Sequence, residues 1–438
     1  MKTPAPLSRR EFVKTAAAAA AATSMFSIAR AQTAGGAAVK VALIGCGGRG
    51  NKDLSNFIEA CALLGLTAKV VALADAFPDR VAASAQKHAV PSRRAFAGFD
   101  SYRRIMETDA GYVILATPPV FRPTHLAALI EAGKHVMMEK PVAVDAPGCR
   151  RVIELGEAAA KKGLGILAGT QRRHDISYLR NKAAIDAGAI GPILSGVVSW
   201  NGKVPWIWER EPDWSDADYM ARNWLNFSSM SGDHICEQHV HNLDVANWFL
   251  GRTPVSAVGF GGRAQRETGD QYDFFSVDLD YGDGVRVHSQ CRQISGAYAR
   301  TGEFFRGAEG ELFGGGKMKG RDVTLPDIAV LSEDGSVQEM VDLITSVRAD
   351  QPLNEARAVA EASATAIMGR ISAYTGKMVR WTDLMTNTQS EFYNLALPPG
   401  SEAFEGGQVV APPENVVPVP GDGTPIRRRK PLATSASS

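Results

Sequence analysis

From residue 39 onward the chain alternates short apolar runs with amphipathic stretches. The runs at 39–44, 69–74, 112–116 and 135–138 are too short for buried helices and rich in residues that favour strands. Between them, 52–64, 79–88 and 123–132 carry apolar residues at helical spacing. Buried strands separated by helices predict a parallel sheet covered on both faces. After a long helix at about 147–162 and a strand at 165–169 the texture changes. The segments 193–200, 255–262, 274–281 and 285–292 alternate with period two, and Tyr281-Gly282-Asp283-Gly284 supplies a turn between the last two, which predicts an antiparallel pair. A helix near 353–375 ends at Gly376. From 397 to 438 the chain is rich in Pro, Gly, Ser and Glu, and it is expected to be extended and largely unfolded by itself. The pattern therefore predicts an α/β chain: a parallel-sheet domain over 39–164 and an α+β domain over 165–385 with a large, mostly antiparallel open sheet.

The 438 residues suffice for two cores. A formal net charge of +1 gives no global field for nucleic acid or an anionic membrane, so neither is an expected partner. Five scattered cysteines without a CxxC pair suggest neither a disulfide framework nor a zinc ribbon. Ser8-Arg9-Arg10-Glu11-Phe12-Val13-Lys14 followed by an alanine-rich stretch reads as a twin-arginine export signal, with cleavage after Ala31 in the small-x-small sequence Ala29-Arg30-Ala31. That stretch is too short for a stable membrane anchor. Export to the periplasm or medium is the expectation.

Gly45-Cys46-Gly47-Gly48-Arg49-Gly50 matches GxGxxG directly after the first strand and at the start of a helix, the setting of a dinucleotide-binding turn. Gly45 allows the turn, Gly47 and Gly48 admit the pyrophosphate, and Gly50 lets helix and strand approach; the phosphates would meet free helix N–H groups beside Arg49. Asp75 closes the second strand, where a carboxylate can bind ribose hydroxyls and disfavour a 2′-phosphate. NAD is the expected cofactor, with NADP as the alternative because Arg49 and Arg80 could offset that repulsion.

At Gly133-Lys134-His135-Val136-Met137-Met138-Glu139-Lys140-Pro141 the chain resembles the glucose–fructose oxidoreductase, inositol dehydrogenase and rhizopine-catabolism family (Gfo/Idh/MocA), whose hallmark is an EKP tripeptide closing the Rossmann domain. Thr117-Pro118-Pro119 followed by His125 resembles its TP…H element, and the likeness covers about residues 39–385. The resemblance implies that Thr117, Pro118, His125, Glu139 and Lys140 face the cofactor and that Lys140 lies between nicotinamide and substrate. An ammonium there can hold the reacting hydroxyl. Pro141 suggests a fixed backbone, for which a cis bond is one means. The family's Asp-x-x-x-His-x-x-Asp helix reads here as Glu237, His241 and Asp244. At i and i+4, Glu237 and His241 would share one helix face, with His241 as general base and Glu237 orienting it. His234 and His239 compete for the base role. The crowd of His234, Glu237, His239 and His241 also admits a metal reading, but no distant third ligand is evident and no metal is expected. Arg173, followed by His174, matches the family's substrate-side arginine. Asn242 and Trp224 are further substrate candidates, and Trp200, Trp206, Trp208, Trp214 and Trp224 suit either sugar stacking or packing.

Free nicotinamide cofactor is scarce outside the cytoplasm, whereas twin-arginine export carries folded proteins. A tightly held, internally recycled NAD(H) is therefore expected, serving hydride transfer at a sugar or polyol carbinol. Two other readings stand beside it: an NAD-dependent glycosidase working by transient oxidation and elimination, and a non-catalytic sugar-binding protein. The family resemblance implies a homo-oligomer, dimer or tetramer, formed through the open sheet.

Overall fold

The computed structural model describes residues 38–414 and 416–421. The expected leader, the cleavage point after Ala31 and the end of the tail lie outside the described residues.

The first layer is a six-stranded parallel sheet in the order β3-β2-β1-β4-β5-β6. Its strands are β1 (Val39–Ile44), β2 (Ala68–Asp75), β3 (Ala95–Ala97), β4 (Tyr112–Leu115), β5 (His135–Met138) and β6 (Ile166–Ala168). This is the doubly wound order whose crevice opens where the winding reverses, here between β1 and β4. The helices α1 (Gly48–Leu63), α2 (Pro78–Lys87), α3 (Arg122–Glu131) and α4 (Ala146–Lys161) cover it. The start of α4 is fixed by Asp145, whose side chain accepts from Gly148 N at 2.8 Å. The strand expected at 165–169 opens no second domain. It is the sixth strand of the first sheet.

The second sheet has eight strands in the order β13-β12-β11-β7-β10-β9-β8-β14. They are β7 (Ile193–Gly202), β8 (Ser256–Gly262), β9 (Phe274–Asp280), β10 (Arg286–Gln293), β11 (Arg300–Gly307), β12 (Glu311–Leu312), β13 (Met318–Lys319) and β14 (Val379–Arg380). Only β7 and β10 pair in parallel; every other neighbour is antiparallel, as the period-two pattern predicts. On this side of the molecule lie α5 (Ile176–Asp186), α6 (Asp216–Arg222), α7 (His234–Glu237), α8 (Val240–Leu250), α9 (Gly335–Arg348) and α10 (Ala356–Thr375). The glycine expected to stop α10, Gly376, does so with φ +73°.

α10 packs on both α4 and β8, so one buried helix welds the two sheets together. α9, which the sequence reading does not foresee, packs on α1 behind the glycine turn. The tail also departs from expectation. Over 397–421 it carries the short helix α11 (Ser401–Glu405) and buries Phe404 among aromatic side chains of the first domain. A segment with few apolar residues docks when one of them meets a preformed aromatic notch. Among the described residues no helix is long and apolar enough to cross a membrane. All five cysteines are free and buried.

Candidate active site

A cleft of about 590 Å³ runs from the end of β2 across the glycine turn to Glu237. A Cβ on Gly50 would sit 1.9 Å from the Gly45 carbonyl oxygen, and one on Gly45 would sit 2.7 Å from the Ala116 carbonyl carbon. Both positions therefore demand glycine for the turn itself. Gly47 and Gly48 face open space within 4 Å, which leaves a backbone cradle free for a ligand. The first bond of the turn, Asn51 N to Gly47 O at 3.0 Å, leaves the amides of Gly48, Arg49 and Gly50 without intrahelical acceptors. Cradle and dipole together suit a pyrophosphate.

Asp75 lies on the cleft wall, where its carboxylate accepts from Cys46 N at 2.6 Å and from Phe77 N at 2.9 Å. Burial nevertheless raises its pKa. Arg49 borders the cleft, but its guanidinium is turned onto Glu139, 2.6 Å from Nε and 2.5 Å from Nη2. Glu139, expected at the cofactor, is instead buried beneath it and also accepts from Lys140 N at 3.0 Å. A buried carboxylate needs a partner, and Arg49 provides one. Thr117, Pro118 and His125 line the cleft. The His125 ring stacks on Tyr102 at 3.9 Å, and burial lowers its pKa to about 3.

At the other end, Lys140 Nζ donates to the Glu237 carbonyl at 2.7 Å and lies 3.3 Å from its carboxylate. The Lys140–Pro141 bond is cis. The single helix expected to carry Glu237 and His241 is broken. α7 ends at Glu237, Gln238 and His239 turn the chain, and α8 begins at Val240. Glu237 thus holds the ammonium of Lys140 rather than orienting the imidazole. His241 stacks on Trp200 with centroids 5.7 Å apart. Burial, followed by the charges of Lys140, Arg172, Arg49 and His239, pushes its pKa well below the usual value. Near neutral pH it is an uncharged imidazole able to take a proton. The competitors point elsewhere. His239 Nε2 lies 2.8 Å from Ser289 Oγ on β10, and His234 Nδ1 lies 3.0 Å from Asp233. Among the described residues, no group of three His, Cys, Asp or Glu side chains could hold a metal ion.

The substrate candidates fare unevenly. Trp224, with Trp206 and Trp208, lines the cleft. Arg173 does not reach it free: Nε and Nη2 clamp buried Asp244 at 2.9 and 2.8 Å. His174 lies between Asp342 at 2.6 Å and Glu355 at 3.1 Å. Burial alone would lower its pKa, but the two carboxylates reverse this and raise it to about 10. It is a structural cation. Asn242 is fully buried and donates to Glu303 at 2.5 Å. The arginine beside the stack of Trp200 and His241 is Arg172, whose guanidinium lies over the Trp200 ring at 5.8 Å and pairs with Glu303. Sequence reasoning missed Arg172, Glu303 and Arg122, which ties the Thr117 carbonyl (2.8 Å) to that of Pro141. The adjacent Arg172-Arg173 pair was the available signal, but the choice between its members needs tertiary contacts.

A family model described as an oxidoreductase family with an NAD-binding Rossmann fold matches residues 39–167. The GFO/IDH/MocA C-terminal domain matches residues 178–312. The chain is 28% identical over 236 residues to inositol 2-dehydrogenase of Rhizobium meliloti, covering 53% of this chain and 63% of that protein. It is 32% identical over 170 residues to an NADP(+)-type scyllo-inositol 2-dehydrogenase of Bacillus subtilis, covering 39% and 42%. The chain thus matches less than two thirds of the length of these relatives. In architecture it is similar to the WlbA dehydrogenase of Bordetella pertussis, solved with NADH and UDP-GlcNAcA, at a TM-score of 0.63 and 19% identity, covering 78% of this chain and 99% of that one. The two family models together span more than half of the sequence, and the chain belongs to the Gfo/Idh/MocA oxidoreductase family.

Proposed function

We propose that this protein is an NAD(P)-dependent oxidoreductase that moves a hydride to or from a carbinol carbon of a sugar or polyol. One observation carries the reading. The ammonium of Lys140, after β5, is held by Glu237, which lines the far end of the cleft, and its charge helps keep the imidazole of His241 on α8 unprotonated. The relatives' names, an inositol 2-dehydrogenase and an NADP(+) scyllo-inositol 2-dehydrogenase, support the same class.

Gly47, Gly48 and the first amides of α1 would hold the pyrophosphate, and Asp75 the adenosine ribose, which favours NAD over NADP. The nicotinamide, when bound, supplies the hydride acceptor. His241 takes the hydroxyl proton, and its low pKa keeps it free to do so. Lys140 donates a hydrogen bond to the carbinol oxygen while Glu237 fixes the ammonium. Trp200 holds the imidazole plane from behind, and the tryptophans of the 203–227 excursion offer faces for sugar C–H surfaces.

Export by the twin-arginine leader, with a resident dinucleotide recycled between two substrates, completes the proposal. Exposed Val258, Phe260 and Phe274 on the outer face of the second sheet favour a homo-oligomer through that face. The test is gentle purification, assay for bound dinucleotide, then a panel of sugars and polyols followed by hydrogen isotope exchange at carbon. Exchange with bound NAD(H) supports the proposal, and absence of any dinucleotide binding overturns it. Cleavage of chromogenic glycosides without net NADH would move the chemistry to oxidation and elimination. Sugar binding without exchange would make it a binding protein.

A further inference from the structure

One wall of the cleft leans on the C-terminal segment. Phe99, Tyr102 and Phe121 line it, and all three contact the C-terminal segment. Phe404 on α11 is 2% exposed, with its ring 5.4 Å from Phe99 and 5.0 Å from Phe121. The next residue, Glu405, accepts from Tyr102 Oη at 3.2 Å and from Arg103 Nη2 at 2.7 Å. Tyr102 in turn stacks on His125, a lining residue as well.

Past α11 the segment reaches the 203–227 excursion, whose Trp206, Trp208, Ala221 and Trp224 also line the cleft. Ala411 N donates to Asp216 Oδ2 at 2.8 Å, and Glu414 accepts from Tyr219 Oη at 2.5 Å. It then passes under the second sheet, where Tyr272 Oη donates to the Pro418 carbonyl at 2.8 Å. The excursion is tied across the cleft a second time, by Arg222. That guanidinium pairs with Asp79 at 2.9 Å and lies 4.0 Å from the centre of the Phe77 ring. Phe77, Phe121, Ala221 and Phe404 belong to one apolar cluster, contributed by stretches far apart in sequence. One wall cannot swing from the other without tearing that cluster.

We infer that residues 397–414 and 416–421 belong to a strap completing the dinucleotide site, in which Phe404 and Glu405 are positioning residues that set how slowly the cofactor leaves. The inference rests on the dinucleotide reading of the cleft. Neither side chain needs to touch the cofactor. They hold Phe99, Tyr102 and Phe121 in place before the ligand arrives, and a wall organised beforehand slows release more than it speeds entry. The strap is also an economical device for an exported enzyme, since a cofactor lost outside the cytoplasm is not replaced.

The experiment loads the full chain with labelled NAD and follows its release during a chase with excess unlabelled NAD. For Phe404→Ala, release accelerates about tenfold or more while the KM for a polyol substrate stays put, because a loosened wall changes off-rates first. Phe404→Leu, which refills the notch, recovers most of the retention. Glu405→Gln accelerates release roughly threefold, the smaller loss fitting a partly exposed ion pair. Release at the wild-type rate in all three variants, with only the apo melting temperature lowered, overturns the strap. If Phe404→Ala does not fold, Glu405→Gln decides, and an unchanged rate refutes. A wild-type chain that binds no NAD instead sinks the dinucleotide reading itself.

Discussion

At the nucleotide end of the cleft the glycine turn and Asp75 come from one continuous stretch, β1 to β2, and their geometry is set by backbone. Gly45 and Gly50 are forced by contacts under 3 Å, and Asp75 is locked by two amides. At the chemical end the groups come from β5, the turn after β6, β7, α7, α8 and β11, and they are held by charge. Lys140 leans on Glu237, Arg172 on Glu303 and Arg173 on Asp244. Backbone geometry tolerates sequence drift outside its glycines. A charge network fails when one member is lost, because the partner is left buried and unpaired. The first end should therefore be robust and the second fragile.

The largest break in that contrast should come from the two groups assigned to the proton. Lys140→Met or His241→Asn is expected to lower kcat by roughly 10²–10⁴-fold while NAD still binds, the range for losing a positioned acid or base. Single-turnover nicotinamide absorbance with the best polyol of the panel measures one, and NAD titration the other. Loss of NAD binding together with kcat would show that the two ends are not separable.

Next in size is the frame under the chemical end. His174→Gln removes the cation between Asp342 and Glu355 and should cost roughly 3 kcal/mol, the low end for breaking a buried pair because Asp342 is partly exposed. The pH dependence fixes the mechanism. His174 is raised from 6.5 to about 10 in the fold, so its stabilisation is fully present below 6.5 and disappears as pH climbs toward 10. Urea unfolding of the wild type should weaken over that window, and the variant should lose most of this slope. Equal slopes would dismiss the ion pair as its cause.

The same contrast explains what could be read from the sequence. The strands and helices of the first domain, the GxGxxG turn and Asp75 depend on neighbours a few residues away, so local pattern suffices, whereas Lys140 was singled out by the family resemblance of its EKP segment. His241 was singled out in the same way, by the family's Asp-x-x-x-His-x-x-Asp pattern. Its helix was not legible: His239 swings to Ser289 between α7 and α8, and that contact is set by β10, remote in sequence. Arg172 and Arg173 are chemically identical in a string of letters, and only buried Asp244 and Glu303 tell them apart. α9 and the docking of Phe404 failed for a related reason. Each is stabilised by a surface, α1 or the Phe99–Phe121 notch, that exists only once the first domain has folded.

A third test sharpens the electrostatic half. Arg172→Gln combined with Glu303→Gln removes the cation that helps depress His241 without stranding a buried carboxylate. The active form is the neutral imidazole, so rate falls as pH drops through its pKa. In the wild type that limb lies well below the usual histidine range. In the double variant it should move up toward the usual histidine range, with the plateau height nearly kept. A profile of kcat/KM against pH reads the shift directly. An unmoved limb would mean that burial and Lys140 alone set the imidazole.

The smallest effect is expected at the robust end. Asp75→Asn keeps one acceptor for the Cys46 amide but loses the bond from Phe77 N and the negative charge at the ribose position. Removing one like charge near a 2′-phosphate in a solvated cleft is worth about 1 kcal/mol, so preference for NAD over NADP should fall roughly fivefold. Fluorescence titrations with both reduced cofactors measure the ratio. The turn itself should survive, because Gly45 and Gly50 are set by steric contact and not by the carboxylate. If binding of both cofactors collapses instead, Asp75 is a keystone of the turn, and this end of the cleft depends on charge as much as the other.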